Sequence, residues 1–210
     1  MISGYNRQKI AVSLIRHPFK SVLDLGCGRN TPLREYLPKD IKYCGIDNEK
    51  GQNIKVWSME EGLPFLKNNS YDVVFAIEVL EHLENIHFVF EEIKRVAKNE
   101  IVIALPNMNH WIYRIRHLLR HEILLKYKLY KNTDEWTSKW KQGPKDRHRW
   151  FTIRKQSIEF VRTNAKEYKI EIGHHFYPYK RLKFLKVIDK FLSKIFPELF
   201  VYTIYFHLEK

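Results

Sequence analysis

Val22-Leu23-Asp24-Leu25-Gly26-Cys27-Gly28 decides the fold. Residues 21–25 are a short apolar run, and glycines follow it at once. Such a run before Gly-Cys-Gly predicts a buried strand leading into a tight turn. Glycine there lets backbone N–H groups come close to a ligand. Thr31-Pro32 predicts an N-cap followed by proline at the first helical position. Residues 41–47 predict a second strand that ends in Asp47, 21 residues after Gly26. An acidic side chain at that place can take both hydroxyls of a ribose. Strand, turn, strand and acid in this order are much more specific than a glycine turn alone.

The pattern extends in both directions. Residues 5–17 predict an amphipathic helix with Ile10, Leu14 and Ile15 on one face, stopped by Pro18. A third strand is expected at 54–58 and a fourth at 71–77, where Val73 to Ile77 are apolar without alternation. Unbroken apolar runs fit strands buried on both faces of a parallel sheet. A helix over 85–98 follows, with Phe88, Val89, Ile93 and Val96 inward, then a fifth strand at 101–105 ending at Pro106. Alternating strands and helices imply an open α/β sheet with right-handed crossovers.

The second half differs. Residues 1–105 hold 14 basic and 14 acidic side chains, whereas residues 106–210 hold 23 and 10. The whole net charge of +13 therefore sits after residue 105, together with four of the five tryptophans. Helices are expected at 111–130 and 153–165, a strand at 168–176, a helix at 181–196 and a last strand at 199–207. On the 181–196 helix, Phe184, Leu185, Val187, Ile188, Phe191, Leu192, Ile195 and Phe196 face one way and its four lysines the other. Residues 131–150 read as a loop carrying Trp136, Trp140 and a basic cluster from Lys145 to Arg149.

Several classes are excluded by composition. With 44% hydrophobic residues the chain is not expected to be disordered. No apolar stretch is long enough to span a bilayer. Residues 1–20 lack the apolar run of a secretory signal, so a cytoplasmic protein is expected. Cys27 and Cys44 give neither a disulfide framework nor a cysteine zinc site. His117 and His121 share a helix face, but no acid is spaced to complete a metal site, so no metal is expected.

The first half resembles class I S-adenosylmethionine-dependent methyltransferases. Residues 22–28 look like that family's first motif, and Gly45-Ile46-Asp47 resembles its acidic second motif. Gly62-Leu63-Pro64-Phe65, Ser70-Tyr71-Asp72-Val73-Val74, Glu78-Val79-Leu80-Glu81-His82-Leu83 and Val102-Ile103-Ala104-Leu105-Pro106-Asn107 are similar to later stretches, in order. His148-Arg149-Trp150-Phe151-Thr152 is more weakly similar to small-molecule and glycan-modifying members. A dinucleotide-dependent dehydrogenase normally needs a third glycine to seat a pyrophosphate. Here Gly28 is followed by Arg29, Asn30 and Thr31.

The resemblance implies a Rossmann-like open sheet, mostly parallel, with seven strands, an antiparallel C-terminal strand and helical cap insertions. A single methyltransferase domain is expected over 1–210, with 1–107 the cofactor half and 108–150 and 177–198 the basic, aromatic cap. S-adenosyl-L-methionine is the implied cofactor. Gly26, Cys27 and Gly28 then line its amino-acid end and Asp24 anchors that end. Asp47 takes the ribose hydroxyls with Asn48 beside it, and Ser58 and Met59 flank the adenine. Members with a Gly-Leu-Pro-Phe run often carry Asp where Ser58 stands, and a hydroxyl accepts less strongly than a carboxylate.

Glu78 and His82 are four apart, which on a helical turn puts them on one face. Two roles stay open: His82 as general base for a hydroxyl acceptor, or both residues ordering the loop and touching cofactor. Trp111, Arg147, His148 and Trp150 are candidate acceptor contacts. The expected reaction is in-line methyl transfer to a hydroxyl or carboxyl of a small, glycan or lipid-linked acceptor. An RNA methyltransferase and a cofactor-binding regulatory protein with weak turnover are the alternatives. The basic half suits an anionic acceptor, an anionic membrane surface or RNA.

Overall fold

The computed structural model describes residues 7–119, 149–178 and 184–210. A seven-stranded sheet runs in the order β3-β2-β1-β4-β5-β7-β6. Its strands are β1 (Ser21–Leu25), β2 (Lys42–Asp47), β3 (Ile54–Val56), β4 (Tyr71–Ile77), β5 (Ala97–Pro106), β6 (Lys169–His175) and β7 (Thr203–Glu209). The first five are parallel. β7 is antiparallel to both β5 and β6, so β6 runs in the direction of the first five.

Alternate residues of the central strands feed two cores, because successive side chains of a strand point to opposite faces. Leu23, Leu25, Val74, Ala76, Ile101 and Ile103 pack on one side, under helix α2 (Ile86–Val96) and α4 (Arg154–Asn164). Val22, Val73, Phe75, Val102 and Ala104 pack on the other, under α1 (Arg7–Ser13) and the turn Pro32–Tyr36. Both faces are covered, which is why these strands read as unbroken apolar runs.

The α2 helix starts at Asn85, whose side chain accepts from the Phe88 N–H. Its inward residues are Ile86, Val89, Phe90, Ile93 and Val96, while Phe88 is exposed rather than inward as expected. Thr31 does not cap a helix either. It sits in a left-handed conformation without a side-chain cap bond, and the residues after it form a 3-10 turn. Residues 111–119 are helical (α3, Trp111–Leu119). The rest of the expected 111–130 helix, with the 131–148 loop, lies outside the described residues.

Between β6 and β7 stand α5 (Phe184–Leu192) and the short α6 (Pro197–Phe200). Leu199 and Phe200 are thus helical, and the last strand starts at Thr203 instead of 199. Thr203 pairs with both Pro106 and His175. The 176–202 insertion therefore leaves the sheet at the edge where β1, β2, β4 and β5 also end. In open α/β sheets that edge is where ligands bind.

Candidate active site

The glycine turn explains its own composition. Gly26 has φ +65°, and a Cβ there would lie 2.5 Å from Val79 Cγ2. Only glycine meets both demands. The N–H groups of Gly26 and Cys27 both donate to the Ile46 carbonyl, at 2.9 and 3.3 Å, which fixes the turn to the end of β2. Gly28 also has a left-handed φ, +68°, but nothing stands within 4 Å of the place a Cβ would take. The space over Gly28 is open, as a ligand cradle requires.

Asp47 closes the turn from β2. Its Oδ2 accepts from the Gly28 N–H at 2.9 Å and its Oδ1 from the Glu49 N–H at 2.9 Å. Each oxygen retains acceptor capacity. Asn48, next in the chain, is exposed.

Asp24 is buried beneath the turn. Its Oδ2 accepts from the Tyr43 hydroxyl at 2.6 Å. Burial pushes its pKa up to about 7, with the Tyr43 bond opposing and the Asp47 charge adding. Cys27 is buried too, and its thiol is pushed up to about 12 by burial, then by the Asp24 and Asp47 charges. A thiol held neutral is a poor nucleophile, so Cys27 contributes backbone and packing.

The adenine-side residues divide. Ser58 is half-buried just before the 3-10 turn Met59–Glu61 and makes no capping bond. Met59 is buried in the core beneath α2.

Glu78 and His82 do not share a helix face. Glu78 leaves β4 with a left-handed φ of +51°, rare for a residue with a Cβ. The only helical geometry nearby is the single 3-10 turn Leu80–His82. The Glu78 carboxylate pairs with Arg7 of α1. His82 Nε2 lies 3.9 Å from Oε1 of the buried Glu81. Strained backbone at a strand end gathers at functional sites, and Glu78 is a non-glycine case directly after β4.

The acceptor candidates are also spread out. Trp111 Nε1 donates to Asp189 Oδ1 at 3.0 Å, and Trp150 Nε1 to the Leu83 carbonyl at 2.7 Å. Arg147 and His148 lie outside the described residues, as do His121, Trp136 and Trp140. Asn107, at the exit of β5, is fully buried; its amide donates to the carbonyls of Glu198 and Val201. Its Oδ1 accepts from the N–H groups of Asn109 and Arg154.

Residues 23–105 match a family described as a methyltransferase domain. Residues 23–105 thus carry a methyltransferase domain. The fold of the whole chain is similar to that of a SAM-dependent methyltransferase from Archaeoglobus fulgidus. That structure has a TM-score of 0.62 at 18% identity, covering 98% of this chain and 95% of the other. The plantazolicin methyltransferase BpumL, solved in complex with SAH, superposes with a TM-score of 0.56 at 16% identity, over 97% of this chain and 80% of that one. Among curated proteins, a sterol 24-C-methyltransferase of Gibberella zeae is 33% identical over 102 residues, 39% of this chain and 26% of its own. A second, from Aspergillus fumigatus, is 34% identical over 93 residues, 37% of this chain. The chain spans about a quarter of the length of these curated relatives.

The residues present fit the cofactor of this class. An open cradle over Gly28, a carboxylate at the end of β2 and a buried carboxyl under the turn are one acceptor-rich face toward a cationic nucleoside derivative.

Tyr43 is the site residue that sequence reasoning missed. Asp24 pairs with Gly45 in the sheet, and Tyr43 stands two residues before it on the same face. A Cβ at Gly45 would lie 3.2 Å from the Tyr43 hydroxyl. A glycine inside a strand often marks close approach of another group, and that was the available signal.

Proposed function

We propose that this methyltransferase moves a methyl group onto a hydroxyl or carboxyl oxygen of a small, glycan or lipid-linked acceptor. The open cradle at Gly28, closed on one side by Asp47, is the observation that carries the cofactor half of this reading. When bound, S-adenosylmethionine supplies an electrophilic methyl on a sulfonium and leaves as S-adenosylhomocysteine.

The chain's residues then take these parts. Asp47 receives the ribose hydroxyls, with Asn48 beside it. Gly26, Cys27 and Gly28 present backbone to the amino-acid end, and Asp24 holds that end from below. Ser58 receives the adenine amine, and the buried Met59 supports the adenine from beneath. Glu78, paired with Arg7, holds the loop after β4 in its left-handed turn. An acceptor carboxylate brings no proton. A hydroxyl acceptor gives up its proton, and His82, on the turn after that loop, is its base. Trp111 and Trp150 line the acceptor side, with Arg147 and His148 in the same region of sequence. The acceptor oxygen forms the new O–C bond as the C–S bond breaks, its electron pair leaving with sulfur. Alignment of oxygen, carbon and sulfur supplies most of the acceleration.

Calorimetry with S-adenosylmethionine and S-adenosylhomocysteine tests the cofactor half. The wild type binds both, and Asp47→Ala weakens binding by about 1.5–3 kcal/mol as charge-assisted bonds are lost. Absence of any binding by the wild type would refute the proposal. Transfer of a labelled methyl into fractionated cell extract tests the acceptor. Label in the small-molecule, glycan or lipid fractions supports the reading, and label in RNA overturns it.

A further inference from the structure

The α5 helix is turned inside out. Its buried residue is Asp189, at 1% exposure, while Phe184, Val187, Ile188 and Phe191 stand 42–69% exposed. Ile195 and Phe196, just beyond the helix, are exposed as well. The sequence gives this helix an apolar arc, which in a globular protein normally faces the core. Here Leu185 and Leu192 are half-buried and the rest of the arc faces outward.

Polar contacts at Asp189 hold it that way. Trp111 Nε1 donates to Asp189 Oδ1, and Nε2 of the fully buried His110 lies 3.6 Å from Asp189 Oδ2. His110 Nδ1 accepts from the Ile112 N–H, so its proton is on Nε2, toward Asp189. Burial drives the His110 pKa down to about 4, opposed by the interaction of its ring N–H with the Phe200 carbonyl. The pin is thus the indole–carboxylate bond of Trp111 and Asp189, beside the neutral His110 ring on which Tyr177 and Tyr202 pack.

The exposed arc has a basic flank. Lys186, Lys190 and Lys194 are all exposed and follow one another at helical spacing beside it. The insertion that carries them leaves the sheet at the edge of the cofactor site. Trp150 and Phe151, exposed too, run along that edge: the Trp150 N–H reaches the Glu81 carbonyl and Thr152 the Pro106 carbonyl.

We infer that the outward face of α5 docks on an anionic bilayer, its apolar residues in the acyl boundary and its lysines among the headgroups. Amphipathic helices of this composition lie in the membrane interface, and each lysine near an anionic surface adds attraction. A second copy is the weaker occupant. A two-fold pairing would set this lysine flank and the +13 half against itself. RNA is weaker still: bases stack on aromatic rings, but between Phe184, Phe191 and Phe196 this face carries the aliphatic Val187, Ile188 and Ile195, which favour acyl chains over base stacking. Docking by this face would bring the cofactor edge to the membrane, which deepens the acceptor reading toward its lipid-linked member.

Flotation of the full chain with vesicles tests this. The wild type floats with phosphatidylcholine vesicles containing phosphatidylglycerol, and less with phosphatidylcholine alone. Phe184→Ser with Phe191→Ser lowers partitioning at least ~10-fold at every salt concentration. Lys186→Gln with Lys190→Gln and Lys194→Gln removes the preference for anionic vesicles. S-adenosylhomocysteine affinity, measured on each variant, stays at the wild-type value and reports that the fold is intact. Failure of the wild type to float, or equal flotation of the serine variant, overturns the docking face. So does a concentration-dependent dimer that the serine variant abolishes while vesicles bind neither protein. A chain that floats but binds no cofactor defeats the functional reading and leaves this one standing.

Discussion

Glu100 and Asp24 are both carboxylates buried in the central strands, Glu100 level with Val22 and Asp24 two residues nearer the ligand edge. Glu100 is surrounded by donors. It accepts from the N–H groups of Arg16 and His17 at 3.0 and 2.8 Å, and is bonded by the rings of His17 and His207. Burial alone would raise its pKa, but the Arg16 N–H, His207 and the His17 N–H outweigh it and the net shift is downward. Asp24 has the Tyr43 hydroxyl as its bonded partner here, and burial wins. A carboxylate saturated with donors tightens the fold. One supplied with a single donor at a ligand edge is suited to a cationic partner from outside.

The contrast breaks most readily at Glu100. Glu100→Ala leaves the N–H groups of Arg16 and His17 and the buried His207 without their acceptor. It is expected to cost about 3–5 kcal/mol in denaturant unfolding, with S-adenosylhomocysteine affinity unchanged in the folded fraction. A loss under about 1 kcal/mol would remove Glu100 from its structural role.

Asp24 should behave in the opposite way. Its folded pKa, about 7, lies above its ordinary value of 3.8. The folded chain therefore binds the proton more tightly, and this group's contribution to stability falls as pH rises from about 4 through about 7. Glu100, shifted downward, contributes stability above its ordinary pKa of 4.5 that is lost as pH falls through its folded value. Asp24→Asn is expected to raise stability by about 1–3 kcal/mol at about pH 8. In the wild type, affinity for the cationic amino-acid end rises with pH through about 7. The Asn variant binds more weakly by about 1.5–3 kcal/mol above that pH and with a flat profile. A flat wild-type profile in calorimetry would separate Asp24 from the cofactor.

The smallest effect on the fold separates the two glycines. Gly28→Ala meets no protein atom, so it should cost about 1–2 kcal/mol for its left-handed φ yet abolish measurable cofactor binding. Gly26→Ala adds the Val79 clash and should destabilise more. If Gly28→Ala binds as the wild type does, the cradle is misplaced.

The cofactor side was legible in the sequence because backbone geometry enforces it. A left-handed turn needs Gly26 and Gly28, and an acid at the end of β2 stands at a fixed distance along the chain. The seven-stranded, mostly parallel sheet and the antiparallel β7 were expected from the resemblance and are present. What stayed hidden depends on long-range partners. Glu100 and His207 are 107 apart in the chain, and each alone reads as an ordinary strand residue. The wheel of α5 showed an apolar arc but not its direction, because that is set by Asp189 meeting His110 and Trp111. The spacing of Glu78 and His82 misled because it assumed a helical turn where the chain makes a left-handed exit and one 3-10 turn.

The place of β7 has a consequence for biosynthesis. It is made last of the seven strands, yet it lies between β5 and β6. While the ribosome is still adding residues 176–202, the edge of β5 has no neighbour and β6 has nothing to pair with. An exposed apolar strand edge is an invitation to aggregation. Completion of the sheet is thus postponed to the final seven-residue strand. A nascent chain arrested before Thr203 is expected to need chaperone cover that the released protein does not.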